Sequence, residues 1–181
     1  MTRSTSPVTP IRVLVAFASR HGGTRQVAAT IAAGLSASAA PGRVATVLAP
    51  VELAPDVTRY DAVVLGSAVY GGRWLEPAVR FTEGRAALLH GGSTWLFSSG
   101  LARVPHQDPV VPADVARLTG LAGARGHGAF AGRLEPRLLS STERADWAAA
   151  SAVTGDFRDR SAITSWSHRI AADLTAAVPA G

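Results

Sequence analysis

Apolar residues along this chain fall into two alternating kinds of segment. Short, nearly continuous apolar runs read as buried strands. They are Arg12–Ala18, Arg43–Leu48, Tyr60–Gly66, Ser93–Ser98 and, diluted by glycine, Arg125–Gly132. Between them lie longer stretches with apolar residues at helical spacing, the mark of a helix with one buried face. Thr24–Ser36 carries Val27, Ile31 and Leu35 on such a stripe. Leu75–Leu89 carries Leu75, Val79, Leu88 and Leu89, and Ser161–Ala176 carries Ile163, Trp166, Ile170 and Leu174. Pro112–Leu121 predicts a shorter helix with proline in its first turn. Pro41-Gly42 ends the first helix. Residues 133–160 show no sustained period and are expected to be irregular. Trp95, Trp147 and Trp166 read as packing residues.

Five strands alternating with helices predict an α/β fold, a parallel sheet covered on both faces. In such folds ligands bind outside the carboxyl ends of the strands. Three strand ends run into suitable loops: Ser19–Thr24, Gly66–Trp74 and Ser98–His106, all rich in Gly, Ser or aromatic residues. One domain is expected from residue 11 to 178, behind a polar, proline-bearing tail at 1–10 expected to be disordered. No internal repeat is visible.

The first loop, Ser19-Arg20-His21-Gly22-Gly23-Thr24, leads from a strand into a helix. That geometry suits phosphate, because the first N–H groups of the helix and its dipole favour an anion. Glycine lets the backbone approach the ligand closely, and Ser19 and Thr24 add hydroxyls. An ordinary strand–turn–helix connection uses the same residues. A Walker loop needs lysine, and all 18 basic residues here are arginine. The dinucleotide fingerprint Gly-x-Gly-x-x-Gly is absent after this strand. A monophosphate fits better, and that of flavin mononucleotide (FMN) is the leading candidate.

Composition narrows the rest. The 181 residues, 47% hydrophobic, suffice for a sizeable core. No apolar run approaches the roughly 20 residues that span a bilayer, and the N-terminus lacks a signal-peptide pattern. The absence of cysteine excludes disulfides and thiolate metal sites. A cytoplasmic location is the expectation, with contact at the inner membrane face held open. The net charge of +5 favours anionic partners. Its arginines are dispersed, so no nucleic-acid partner is expected. The five histidines are scattered without ligand spacing, and no metal is expected; His127 reads as a strand residue. No Gly-x-Ser-x-Gly elbow occurs. Asp156 and Asp159 read as turn caps or partners of Arg158 and Arg160 rather than a catalytic pair.

At its three loops the chain resembles the flavodoxin-like family. It is most similar to the branch of menaquinone-dependent protoporphyrinogen dehydrogenases and their actinobacterial-type relatives. The carrying motifs are Val15-Ala-Phe-Ala-Ser-Arg-His-Gly-Gly-Thr-Arg25, Asp61-Ala-Val-Val-Leu-Gly-Ser-Ala-Val-Tyr-Gly-Gly-Arg-Trp74 and Trp95-Leu-Phe-Ser-Ser-Gly100. Phe130-Ala-Gly-Arg-Leu134 and Gly155-Asp-Phe-Arg-Asp159 also match. The resemblance implies a three-layer flavodoxin-like sandwich with a five-stranded parallel sheet in order 2-1-3-4-5. It implies that Ser19, Arg20, His21, Gly22, Gly23 and Thr24 wrap the FMN phosphate. Ser67, Ala68, Val69, Tyr70, Gly71, Gly72 and Trp74 would border the flavin ring, with Tyr70 or Trp74 stacking on it. Gly71-Gly72 would allow the peptide rearrangement that meets the flavin N5 proton. Ser98, Ser99 and Gly100 would face the pyrimidine end. Arg73 and His106 are the candidate substrate contacts.

Two departures from electron-carrier flavodoxins stand out. Residues 98–106 lack the second stacking aromatic, which leaves one ring face open for a substrate or quinone. The chain is also basic, whereas the carriers are typically acidic to match their reductases. The expected function is therefore an FMN-dependent oxidoreductase resembling protoporphyrinogen IX dehydrogenase, passing reducing equivalents to a quinone. Its partners would be a small substrate such as porphyrinogen and a quinone, and a homodimer is held open. The alternatives are an electron-carrier flavodoxin and a non-catalytic flavodoxin-like interaction module.

Overall fold

The computed structural model describes residues 9–38, 42–100, 111–149 and 154–177. The chain runs β1 (Ile11–Ala18), α1 (Gly23–Ser38), β2 (Val44–Pro50), β3 (Ala62–Tyr70), β4 (Arg73–Trp74), α2 (Glu76–Gly84), α3 (Ala86–His90) and β5 (Ser93–Gly100). It continues α4 (Val115–Ala122), β6 (His127–Ala131), β7 (Arg133–Leu134), α5 (Ser141–Ala149), β8 (Gly155–Asp156) and α6 (Arg160–Ala176). The five long strands form a parallel sheet in the order β2-β1-β3-β5-β6. This is the expected sheet; only the numbering shifts, because β4 is a short strand folded back antiparallel on β3.

Strand side chains alternate between faces, and here both faces are covered. Val13, Val15 and Phe17 pack with Val64, Phe97 and Phe130 under α1 and α6. Leu14, Ala16 and Ala18 pack with Leu65 and Leu96 under α2, α3 and α4. Burial on both sides is why the strand sequences show unbroken apolar runs rather than alternation. The stripes of α1 (Val27, Ile31, Leu35) and α6 (Ile163, Trp166, Ile170, Leu174) are buried as their spacing predicts. Trp95 and Trp166 belong to that core, and Trp166 meets Phe97 and Phe130 edge-on.

Two glycines are set by close approach. A Cβ on Gly66 would lie 2.1 Å from the Phe97 ring, and one on Gly34 would lie 2.0 Å from Ser167 Oγ on α6. The first lets Phe97 lie flat across β3; the second lets α1 and α6 touch.

Two expectations need correction. The single helix over 75–89 is broken at Arg85 into α2 and α3. Leu88 is 53% exposed while Leu89 is buried, as adjacent positions about 100° apart on a helix require. Residues 133–160 are not wholly irregular. They hold the antiparallel pair β7–β8 and the helix α5. Asp159 caps α6, accepting from the backbone N–H groups of Ser161 and Ala162 at 2.9 and 3.0 Å. Asp156 pairs with Arg158, whose Nε donates to it at 2.7 Å. The expected tail at 1–8, the breaker Pro41, the side chain of Trp147 and the candidate His106 lie outside the described residues.

Candidate functional site

The carboxyl ends of β1, β3 and β5 meet at one rim of the sheet, as parallel register requires: Ala18 pairs with Ser67, and Ala68 with Ser99. The loop after β1 is shaped by two local devices. Gly22 adopts φ +79°, a left-handed turn that favours glycine. Its N–H donates to Ser19 Oγ at 3.1 Å, and its carbonyl accepts from Gln26 N at 3.2 Å. Helix α1 then starts at Gly23, and its first N–H groups have no intrahelical carbonyl partner. A Cβ on Gly22 would meet nothing within 4 Å. The loop is thus open at Gly22. Thr24 is buried at the helix start.

Arg20 and His21 point toward one carboxylate. Arg20 Nη1 donates to Glu143 Oε1 at 2.9 Å, and His21 Nε2 lies 3.1 Å from the same oxygen. Tyr70, at the end of β3, closes the group. The Arg20 guanidinium sits 4.7 Å from its ring centroid, and the His21 ring meets it edge-on at 6.3 Å. Burial pushes the Tyr70 hydroxyl above its ordinary pKa, and the Glu143 charge adds to that rise while Arg20 opposes it. Glu143 is held down to about 2, first by the hydrogen bond from Arg20, then by those from the Ser140 backbone and His21.

Beyond Tyr70 the chain turns through Gly71 and Gly72, both at positive φ (+56° and +75°) with open space where a Cβ would sit. Arg73 follows, exposed and paired with Tyr70 across the hairpin. This pair of glycine peptides, with no side chain in the way, is the kind of backbone that can approach a planar ligand.

The other motif residues turn inward. Ser67 Oγ accepts from Leu75 N at 2.9 Å and donates to the Ala68 carbonyl at 2.8 Å. Trp74 is 5% exposed and packs in the core beneath the sheet. Its Nε1–H donates to Ser98 Oγ at 2.8 Å, and Ser98 Oγ lies 2.8 Å from His127 Nε2. Burial lowers the His127 pKa, which favours the neutral ring. The Trp74 N–H reaches Asp114 Oδ2 at 3.2 Å, while Asp114 Oδ1 is buried without a partner among the described residues. Trp74 as a stacking ring is therefore corrected, since its ring lies in the core, and the hydroxyls of Ser67 and Ser98 bond within the protein. The two-residue period of β3 and β5 aims Ser67 and Ser98 at the core, where they hold the β3–β4 hairpin down. Ser99 is buried and paired on both sides, and Gly100 ends the strand beside Ala131. A Cβ on Gly100 would come within 3.0 Å of Val69.

Sequence reasoning missed Glu143, Asp114 and the Ser98–His127 pair. Glu143 had a local signal. Ser140-x-x-Glu143 is a capping box: Ser140 N donates to Glu143 Oε2 at 2.8 Å, and Glu143 N donates to Ser140 Oγ at 3.2 Å. No local signal shows that Oε1 of the same residue reaches a loop more than 120 positions upstream. Among the described residues no cluster of three His, Asp or Glu could hold a metal, and no helix is long and apolar enough to cross a membrane.

Comparison with known proteins fits this geometry. The family model described as a flavodoxin domain matches residues 14–161. The fold is similar to a flavodoxin from the domain Archaea, at 15% identity and TM-score 0.62, covering 91% of this chain and 99% of that one. It is similar to oxidised flavodoxin 1 from Bacillus cereus, at 14% identity and TM-score 0.57, covering 93% and 99%. It is also similar to rubredoxin oxygen:oxidoreductase from Desulfovibrio gigas, at 12% identity and TM-score 0.58, covering 93% of this chain and 37% of that one. At such identities the likeness establishes the fold. No curated protein matches the chain.

Proposed function

The chain belongs to the flavodoxin-domain family, and on that premise we propose that it is an FMN-dependent oxidoreductase of the protoporphyrinogen dehydrogenase type, delivering reducing equivalents to a quinone. The donor set suits a flavin that carries a phosphate. An open glycine turn and a helix start face an arginine and an imidazole, with a tyrosine ring one loop away. Bound FMN supplies the redox chemistry, and the protein holds it, orients it and tunes its surroundings. The first N–H groups of α1, with Arg20 and Thr24, would take the phosphate. Tyr70 would offer the ring platform. The peptides at Gly71 and Gly72 would lie along the ring edge, where no side chain obstructs them. Arg73, exposed on the hairpin, would draw an anionic substrate and favour negative charge on the reduced ring.

The observation that carries this reading is the convergence of Arg20, His21 and Tyr70 at the start of α1. The substrate class rests on charge. A net charge of +5 suits a porphyrinogen carboxylate or the anionic inner face of a quinone-bearing membrane. A second reading, an electron-carrier flavodoxin, is favoured by one fact: the match covers 99% of the archaeal and Bacillus cereus flavodoxins and over 90% of this chain.

The test is a visible absorption spectrum after incubation with FMN and removal of free flavin, followed by addition of protoporphyrinogen and menaquinone. Retained FMN with a perturbed spectrum and quinone-dependent oxidation of the porphyrinogen is the expected result. Retained FMN that exchanges only single electrons with a reductase supports the carrier instead. No retained flavin leaves the interaction module.

A further inference from the structure

Glu143 sits where the proposed phosphate site has its side-chain donors, Arg20 and His21. Its Oε1 accepts from Arg20 at 2.9 Å and lies 3.1 Å from His21 Nε2. Its Oε2 is tied to the Ser140 backbone at 2.8 Å, so the carboxylate cannot drift while α5 stays capped. The side chain is 15% exposed, and Arg20, its partner, is 51% exposed. The carboxylate is thus the better buried member of the pair. β7 brings this segment close: the Arg133 carbonyl lies 3.7 Å from where a Gly23 Cβ would be. The segment 133–149 therefore packs on the entrance to α1, and Glu143 is the anion it presents there.

A flavin phosphate brought to the start of α1 would meet two consequences of this placement. The guanidinium that would pair with it already has an anionic partner. A fixed negative charge would also stand beside the incoming one, and like charges at contact range in a partly buried site repel strongly. We propose that Glu143 is an affinity-setting residue: an internal anion that competes with the FMN phosphate for Arg20 and His21. FMN binding then requires Glu143 to yield those two partners, while binding of the phosphate-free flavin does not. The role narrows the preference for FMN over riboflavin that the loop would otherwise impose. It rests on the flavin reading above and adds a residue that the flavodoxin motifs in this chain do not contain.

The experiment titrates the full chain with FMN and with riboflavin, following flavin fluorescence. It compares the wild type with Glu143→Gln, Glu143→Ala and Glu143→Asp, all first checked for folding by circular dichroism. Removing the charge should tighten FMN binding on the order of tenfold in both the Gln and Ala variants. Riboflavin binding should stay within about twofold, since it lacks the charge in question. Glu143→Asp, which keeps the charge, should remain close to the wild type. FMN binding that is unchanged or weaker in the Gln and Ala variants overturns the inference and makes Glu143 a brace for Arg20. Equal tightening for both flavins also overturns it, because the effect would not be phosphate charge. If wild type and variants alike fail to bind FMN, the flavin reading itself falls. That outcome is distinct from the other two, in which FMN binds and only the contrast is lost.

Discussion

Two polar clusters lie at the same end of the sheet and obey opposite rules. Arg20, His21, Glu143 and Tyr70 form an ionic group at the surface, joined across loops from three parts of the chain. Trp74, Ser98 and His127 form a neutral relay in the core, with Ser67 and the Leu75 N–H beside it. Water competes for every member of the first group, so its bonds are weak in stability and exchangeable for a ligand. The second group is more enclosed, with Trp74 and Ser98 in the core and His127 half-buried, so breaking one of its bonds leaves a buried group unpaired. The comparison teaches a division of labour. The inner relay fixes the hairpin that carries Tyr70, Gly71 and Gly72, and the outer group supplies charge that can be re-partnered.

The sharpest way to break this comparison is Ser98→Ala. It strips the Trp74 indole and His127 Nε2 of their shared partner, so unfolding by urea should show a loss of about 2–4 kcal/mol, one to two unpaired buried groups. An unchanged midpoint would mean that the relay is not a structural clamp. Next comes Arg20→Ala/Thr24→Ala. FMN affinity should fall at least about tenfold through loss of a charged hydrogen bond. The surface ion pair, by contrast, should contribute under about 1 kcal/mol to stability. Undiminished flavin affinity would remove residues 19–24 from the site. The two variants should therefore cross, one hurting stability and the other binding.

Acid separates the clusters further, by smaller amounts. Burial holds the folded His127 pKa below its ordinary value. The unfolded chain then takes up a proton first, so this contribution is complete above about pH 6.5 and fades as pH falls through the folded value. A fall in melting temperature between pH 7 and 5 that His127→Phe abolishes would show it. Glu143 behaves differently, since its folded pKa is down to about 2. Its contribution is complete above the ordinary carboxylate range and is lost progressively as pH falls from about 4.5 to about 2. Carboxyl carbon shifts recorded by NMR should keep Glu143 ionised at pH 4, and a midpoint near 4.5 would contradict the three hydrogen bonds that hold it.

Much of the fold was legible along the chain. Continuous apolar runs mark strands buried on both faces, and the stripes Val27–Leu35 and Ile163–Leu174 mark the helices that cover one of them. Failures occurred where phase or range mattered. Leu88 was misplaced because it is adjacent to Leu89, and two neighbouring helical positions point about 100° apart and cannot both face the core stripe. The 133–160 segment hid α5 because its helix signal is a capping box without a strong apolar stripe. Within the candidate site, the loop motif pointed to residues 19–24, and Gly71-Gly72 to the turn. It did not separate Tyr70, near the rim, from Trp74, in the core. Four residues along a hairpin, the two face opposite ways.

The sequence by itself therefore determined the parallel sheet and the rim where its loops gather, because these follow from the alternation of apolar runs with helical stripes and from the loops at the strand ends, while the strand order was implied only by the family resemblance. Tertiary structure alone decided which motif side chains face the rim and which lock into the core, since that depends on the pleat and on partners such as His127. It alone also brought Glu143 to Arg20 and His21. The Arg20–Glu143 ion pair spans 123 residues and has no local period, and only the folded chain puts its members 2.9 Å apart.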